Sequence, residues 1–109
     1  MKTEGLKFDS GKIDFSLLPL EVLEPLIKVF EHGESKYGFE NWRKDFGTAY
    51  RRRFIAAMLR HTKDAQRFPL AINEKDGGVY HLAQVAWNAL ILLHHEIEKS
   101  NVVQNDYSI

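Results

Sequence analysis

Apolar side chains recur at intervals of three and four residues in the first third of the chain. Between Leu20 and Tyr37 the apolar positions are Val22, Leu23, Leu26, Ile27 and Phe30. This spacing matches the 3.6-residue turn of an α-helix. Pro19 stands where a first helical turn tolerates proline, and Gly38 is a typical helix stop. The pattern therefore predicts a first helix from about Leu20 to Tyr37.

A second helical period begins after a polar loop. Thr48 is a typical N-cap residue, so we expect a helix from there to about Phe68. One of its faces is apolar, whereas the other is basic because Arg53, Arg60 and Arg67 recur every seven residues. Proline, asparagine and glycine residues then mark a second loop up to residue 78.

The third predicted helix, from about Val79 to Lys99, is apolar on nearly every side. Its apolar residues are Leu82, Ala83, Val85, Ala86, Ala89, Leu90, Ile91, Leu92 and Leu93. Such a helix is normally buried, and two neighbouring helices cannot surround it. We therefore predict an all-α, three-helix domain that completes a helical bundle by oligomerisation. Its parts are an N-terminal arm (1–18), a single helical domain (19–99) and a mobile tail (100–109).

Composition narrows the class of protein further. A chain of 109 residues corresponds to about one domain, and 15 basic and 15 acidic side chains balance to zero formal charge. This balance argues against binding to a nucleic acid polymer or to a membrane surface. The absence of cysteine excludes disulfides and cysteine-ligated metals. No apolar stretch resembles a secretory signal or a membrane span, so we expect a cytoplasmic protein.

A line of polar residues on the third helix is the first candidate for function. His81, Gln84, Asn88 and His95 are spaced so that they share one stripe of the helix. Buried polar groups need hydrogen-bond partners. The stripe therefore forms either the wall of a ligand pocket or a set of hydrogen bonds between helices.

Carboxylates on the first helix are the second candidate. Glu21 and Glu24, and again Glu31 and Glu34, are three residues apart, so the members of each pair can converge. Two such carboxylates can hold Mg²⁺ together with phosphate and water. The alternative is an exposed, solvated face.

Two basic segments offer groups that suit a nucleotide. The loop after the first helix combines cations for phosphate, an amide for a base edge and an aromatic ring for stacking, although its tryptophan could instead plug the core. The basic face of the second helix adds an arginine beside a histidine. The ligand-binding candidates in these segments are Lys36, Tyr37, Asn41, Trp42, Arg60 and His61.

Together these pieces resemble a phage family, the dATP/dGTP diphosphohydrolase N-terminal domain, which is similar to the MazG-like all-α nucleotide pyrophosphatases. The resemblance covers about residues 7–96. It is carried by Lys7-Phe8-Asp9, Leu17-Leu18-Pro19, Gly33 through Lys36-Tyr37 to Asn41-Trp42, Arg60-His61, and His81-Leu82-Ala83 through Asn88-Ala89. It adds Lys7 to the ligand-binding candidates.

The resemblance implies helical dimers or tetramers, nucleotide sites between subunits, and Mg²⁺-dependent release of diphosphate. MazG-like enzymes use a Glu-x-x-Glu pair and a later Glu-x-x-Asp pair. Either Glu31 and Glu34 or Glu21 and Glu24 match the first pair, and Glu31 and Glu34 are the predicted catalytic and metal-binding residues. The second pair is missing, and Asp76 is the candidate replacement.

Three functions therefore stay open at this point. The first is a phage-type nucleotide-binding protein in the host cytoplasm, which, if active, is a Mg²⁺-dependent (d)NTP diphosphohydrolase. Alternatively, it is a non-catalytic sponge that sequesters a nucleotide second messenger of antiphage defence, because its acid set is incomplete. A structural helical adaptor, with no nucleotide affinity, is the third alternative.

Overall fold

The computed structural model describes the backbone of residues 5–107 and the side chains of residues 5–101. Residues 1–4 of the predicted arm and 108–109 of the predicted tail lie outside this range. The helices are α1 (Leu20–Tyr37), α2 (Tyr50–Ala65) and α3 (His81–Tyr107), and two short strands, β1 (Ile72–Asn73) and β2 (Val79–Tyr80), pair antiparallel. Three-residue 3₁₀ turns lie at Phe15–Leu17, Asn41–Arg43 and Glu74–Asp76. The predicted all-α, three-helix class is confirmed.

Helix α1 begins and ends where its local signals predict. It follows Pro19, and Gly38 ends it at a φ of 98°, a conformation that favours glycine. The backbone N–H of Gly38 donates to the carbonyl of Glu34 at 2.8 Å, which satisfies one of the free carbonyl groups of the last turn.

Helix α2 is shorter than predicted at both ends. It starts at Tyr50, and no side chain caps it, so the prediction of Thr48 as N-cap is wrong. Asp45 instead accepts a hydrogen bond from the backbone N–H of Gly47 at 2.8 Å, and this local turn replaces the first helical turn. Helix α2 ends at Ala65 rather than Phe68.

The strands β1 and β2 form a hairpin that the sequence pattern did not predict. Ile72 pairs with Tyr80 and Asn73 with Val79, so each strand has only two residues. Strands of this length are too short to show an alternating hydrophobic pattern. Val79 therefore belongs to β2, and α3 begins two residues later than predicted.

Helix α3 also continues past its predicted end at Lys99 to Tyr107. No glycine or proline occurs between residues 100 and 107 to stop it. Within residues 5–107, no helix combines the length and the hydropathy that a membrane span requires.

The core lies between α2 and α3. Tyr50, Phe54 and Ile91 form its buried centre, and five partly buried side chains pack around them: Phe30, Trp42, Phe46, Trp87 and Leu92. The polar stripe of α3 faces inward, because Gln84, Asn88 and His95 are each 7% exposed. The opposite, apolar side of α3 is exposed at Leu82, Leu90, Leu93 and Ile97.

Candidate functional site

A cavity of about 870 Å³ lies between α1, α2 and α3. This volume is within the range of small-molecule sites. Most of the residues predicted from the sequence to bind ligand or metal line it: Glu34, Lys36, Tyr37, Asn41, Trp42, Arg60, His61, Asp76, Gln84 and Asn88. The fold thus brings side chains from all three helices and two loops to one place.

Aromatic rings form one wall of the cavity. Phe30 contacts Trp42 edge to face at a centroid distance of 5.9 Å and Trp87 at 6.0 Å. Phe46 and Phe54 continue the wall. Flat apolar surfaces of this kind suit a stacked nucleobase. Phe30 and Trp87 were not predicted as site residues, although Trp87 lies on α3 beside Asn88.

The loop that carries Trp42 is held in place from two sides. His95 forms a hydrogen bond from its Nε2 to the carbonyl of Trp42 at 2.8 Å. The guanidinium of Arg43 lies 4.2 Å from the Trp42 ring centroid and pairs with Glu40 at 2.6 Å. Trp42 therefore both packs on the core and lines the cavity, so the two interpretations of this residue are compatible.

Four cationic side chains line the cavity: Lys36, Arg52, Arg53 and Arg60. Arg53 is oriented by a hydrogen bond from its Nη1 to the carbonyl of Phe46 at 3.0 Å. Lys63 and Arg67 of the same basic face do not line it. Cations clustered at an otherwise aromatic site suit the phosphates of a nucleotide.

Asp76 connects the hairpin to α1 and α3. Its carboxylate accepts hydrogen bonds from Asn73 at 3.1 Å, Gln84 at 3.2 Å and Lys36 at 3.4 Å, and lies 3.5 Å from Nε2 of His32. Burial would raise the pKa of Asp76, but the hydrogen bond from Gln84 and the charge of Lys36 outweigh it. The pKa of Asp76 therefore lies below its usual value, and the group stays ionised.

The predicted carboxylates are not gathered into one cluster. Glu34 lines the cavity, whereas Glu31 is exposed and lies outside it. Among residues 5–101, no three His, Asp or Glu side chains are placed to hold a single metal ion. Mg²⁺ is commonly held by one or two carboxylates together with substrate phosphates. Of the predicted carboxylates, Glu34 and Asp76 line the cavity.

His61 and His81 form a pair at the edge of the cavity. Their Nδ1 atoms are 3.0 Å apart, and only His61 is part of the lining. Burial lowers the pKa of His61, and the charges of His81 and Arg60 lower it further. His81 therefore does not line the cavity itself but contacts His61, which does. Lys7, on the exposed arm, is not part of the lining.

Two buried nitrogens at the cavity have no hydrogen-bond partner within the part of the chain whose side chains are described. They are Nε2 of His32 and Nε1 of Trp87. Buried polar atoms are normally paired, so an unpaired one at a pocket wall is available to a ligand atom or a water. The sequence gives no signal for either atom.

Comparisons with known proteins show the family of the chain. The family model described as dATP/dGTP diphosphohydrolase, N-terminal, matches residues 2–105. A protein of Salmonella phage PMBT28 named dATP/dGTP diphosphohydrolase is 33% identical to the chain over 84 residues, which cover 75% of the chain and 26% of that protein. The chain thus spans about a quarter of the length of this relative. No solved structure matches the chain significantly.

Proposed function

Because the chain belongs to the dATP/dGTP diphosphohydrolase N-terminal family, we propose that it binds a purine deoxynucleoside triphosphate in the cavity between α1, α2 and α3. The observation that carries this proposal is the composition of one cavity of about 870 Å³, which joins an aromatic wall to four cationic side chains. A nucleoside triphosphate needs both surfaces, an apolar one for the base and a basic one for the phosphates.

The reaction that fits this ligand is hydrolysis to a monophosphate and diphosphate. The oxygen of a water molecule bonds to the α-phosphorus, and the bond from that phosphorus to the oxygen bridging to the β-phosphate breaks. The attacking water loses its proton to solvent. Lys36 and Arg60 would offset the negative charge that develops on the phosphate oxygens.

In this scheme Mg²⁺ enters with the nucleotide. Glu34 and Asp76 would hold it together with phosphate oxygens and water, and a bound Mg²⁺ supplies charge stabilisation at the phosphates. Glu31 does not line the cavity. It would therefore bind this Mg²⁺ only if the bound phosphate or a second copy of the chain placed the ion close to its carboxylate. Asp76 also pairs with the cation Lys36 at 3.4 Å and lies 3.5 Å from Nε2 of His32.

The proposal also includes a second copy of the chain. The accessible surface is 9197 Å², whereas a compact monomer of 109 residues exposes about 6,200 Å². The excess is about 3,000 Å², more than one partner buries in a standard interface. We expect the exposed side of α3 to pack against a second copy, in the cytoplasm of the host cell.

The test is an incubation of the purified chain with dATP or dGTP and Mg²⁺, followed by measurement of monophosphate, diphosphate and retained ligand. Turnover supports the hydrolase. Intact nucleotide released on denaturation supports a sponge. An adaptor would neither bind nor hydrolyse.

The variant Glu34→Gln separates metal use from binding. It removes a carboxylate from the cavity, and we expect a loss of turnover of at least about 100-fold, because metal-held charge stabilisation contributes several kcal/mol. Nucleotide affinity without Mg²⁺ should be unchanged. Glu24→Gln is the matched control, since Glu24 is an exposed carboxylate on the same helix. Equal turnover of both variants would remove Glu34 from the mechanism.

A further inference from the structure

Two histidine side chains from different helices meet at the edge of the cavity. His61 is on α2 and lines the cavity, and His81 is the first residue of α3. Their rings lie 5.3 Å apart between centroids at 35°, and their Nδ1 atoms are 3.0 Å apart. This distance is that of a hydrogen bond between nitrogens.

A hydrogen bond between two imidazole nitrogens limits the protons that the pair can carry. One Nδ1 must bear a hydrogen and the other must be unprotonated. The neutral pair therefore holds two N–H hydrogens, and one further proton can be added at an outer nitrogen. A second added proton would place two N–H groups against each other at 3.0 Å. The pair can thus take the charges zero and plus one, but not plus two.

The charges around the pair are mixed. On α2, Arg60 precedes His61, and Asp64 lies 3.8 Å from Nδ1 of His81. The hairpin contributes Asp76, which also acts on His61. From α1, Lys36 and His32 contact Asp76 rather than the pair. His81 itself is only 12% exposed, so its charge is poorly screened by solvent.

We infer that His61 and His81 act as one unit that takes up a single proton from solvent when a triphosphate enters the cavity. The polyanion favours the cationic form of the pair, and the pair in return binds the phosphates together with Arg60. His61 would touch the ligand, and His81 is a positioning residue that acts through it. The proton returns to solvent when the ligand leaves.

The low pKa of His61 supports this linkage, because a neutral free pair has a proton to gain at neutral pH. Uptake occurs only between the pKa of the free pair and the higher pKa of the liganded pair. Below both values the proton is already bound, and above both values it does not bind. The number of protons taken up should therefore pass through a maximum as pH changes.

This inference rests on the proposed nucleotide binding, and calorimetry can separate the two. The chain of 109 residues is titrated with the α,β-methylene analogue of dGTP, which cannot release diphosphate, in two buffers of different ionisation enthalpy. The difference in heat gives protons taken up per ligand bound, independently of affinity. We expect an uptake approaching one proton in the wild type, and its loss in His61→Asn.

The variant His81→Asn tests the pairing itself. The amide can keep a hydrogen bond to Nδ1 of His61, but it removes the neighbouring imidazole that lowers the pKa of His61. The pH range of proton uptake should therefore move upward, a shift that a merely structural role would not produce. His94→Gln, a change to a histidine outside the cavity lining, should leave the uptake profile unchanged.

The outcomes are distinct. Binding with equal uptake in the wild type and His61→Asn would overturn the inference and leave the proposed function standing. A His81→Asn profile that coincides with the wild type would overturn the pairing. No binding of the analogue by the wild type would overturn both.

Discussion

Gly77 packs closely against the ring of His32 beside the cavity. Gly77 has a φ of 71°, and a Cβ placed on it would lie 2.8 Å from Nδ1 of His32. The hairpin therefore approaches α1 closely only because residue 77 has no side chain. This approach brings Asp76 within reach of Lys36 and Gln84.

We expect Gly77→Ala to lower the free energy of unfolding by about 1–2 kcal/mol from backbone strain alone, and by more if His32 cannot move. Gly78→Ala is the matched control, because Gly78 has a φ of 76° but no atom within 4 Å of the added Cβ. Urea unfolding of both variants measures the difference. Equal losses of unfolding free energy in the two variants would mean that the close approach of His32 adds nothing to the cost of Gly77→Ala.

Single residues also show what the sequence can predict about the site. Lys36, Trp42 and Arg60 were identified from their chemistry, and the structure places all three at the cavity. Glu31 was identified by the same spacing rule as Glu34, but only Glu34 lines the cavity. Spacing shows that two side chains share a helix face, and the packing of other helices decides which of them reaches a site.

Helices α2 and α3 are joined at one end by a network around Glu96. Its carboxylate accepts hydrogen bonds from the hydroxyl of Tyr50 at 2.8 Å and from Nη2 of Arg51 at 2.9 Å. The hydrogen bonds from Arg51 and Tyr50 lower the pKa of Glu96 to about 2. Because Tyr50 belongs to the buried core cluster, the network connects the start of α2 to the middle of α3.

The lowered pKa of Glu96 predicts a pH dependence of stability. Because the pKa of Glu96 is lower in the folded than in the unfolded chain, ionised Glu96 stabilises the fold at pH values above its unfolded pKa of about 4.5. This contribution is lost as the pH falls through its folded pKa of about 2. We expect Glu96→Gln to reduce stability at neutral pH and to flatten the acid side of the stability curve. Thermal unfolding between pH 2 and pH 7 measures both effects. Glu98→Gln, at an exposed position on the same helix, should keep the wild-type curve.

Element boundaries were predicted correctly where a local signal decides them. Pro19 and Gly38 mark the ends of α1, and α1 has these bounds. Thr48 is an equally good local signal, but the turn at Asp45 and Gly47 prevents the helix from starting there. The hairpin was missed because its two-residue strands depend on contacts with α1 and α3 rather than on their own pattern.

As a whole, the single chain is more extended than a compact domain of its length. Its radius of gyration is 18.6 Å, whereas a compact domain of this length has about 13 Å. Large apolar side chains remain exposed on the arm and on α3, among them Phe8 at 82%, Leu17 at 81% and Leu93 at 57%. Exposed apolar area on this scale is a sign of a protein interface.

We expect the wild type to sediment as a dimer or larger oligomer. The variant Leu93→Glu should raise the dissociation constant of this oligomer by at least about tenfold, because it would bury a charge in an apolar contact. Analytical ultracentrifugation over a range of concentrations measures this shift. Glu98→Gln should sediment like the wild type. A wild type that stays monomeric at high concentration would contradict the oligomer.

The sequence by itself determined the three helices, the family, and the side chains that suit a nucleotide. These properties depend on local periodicity and on residue chemistry, both of which are present in the order of amino acids. Only the tertiary structure decided that Gln84 and Asn88 of the polar stripe line the cavity, that Glu31 and Lys7 do not, and that His81 contacts His61 without lining the cavity itself. These outcomes depend on how α1 and the hairpin pack against α3, which involves contacts between residues far apart in the chain.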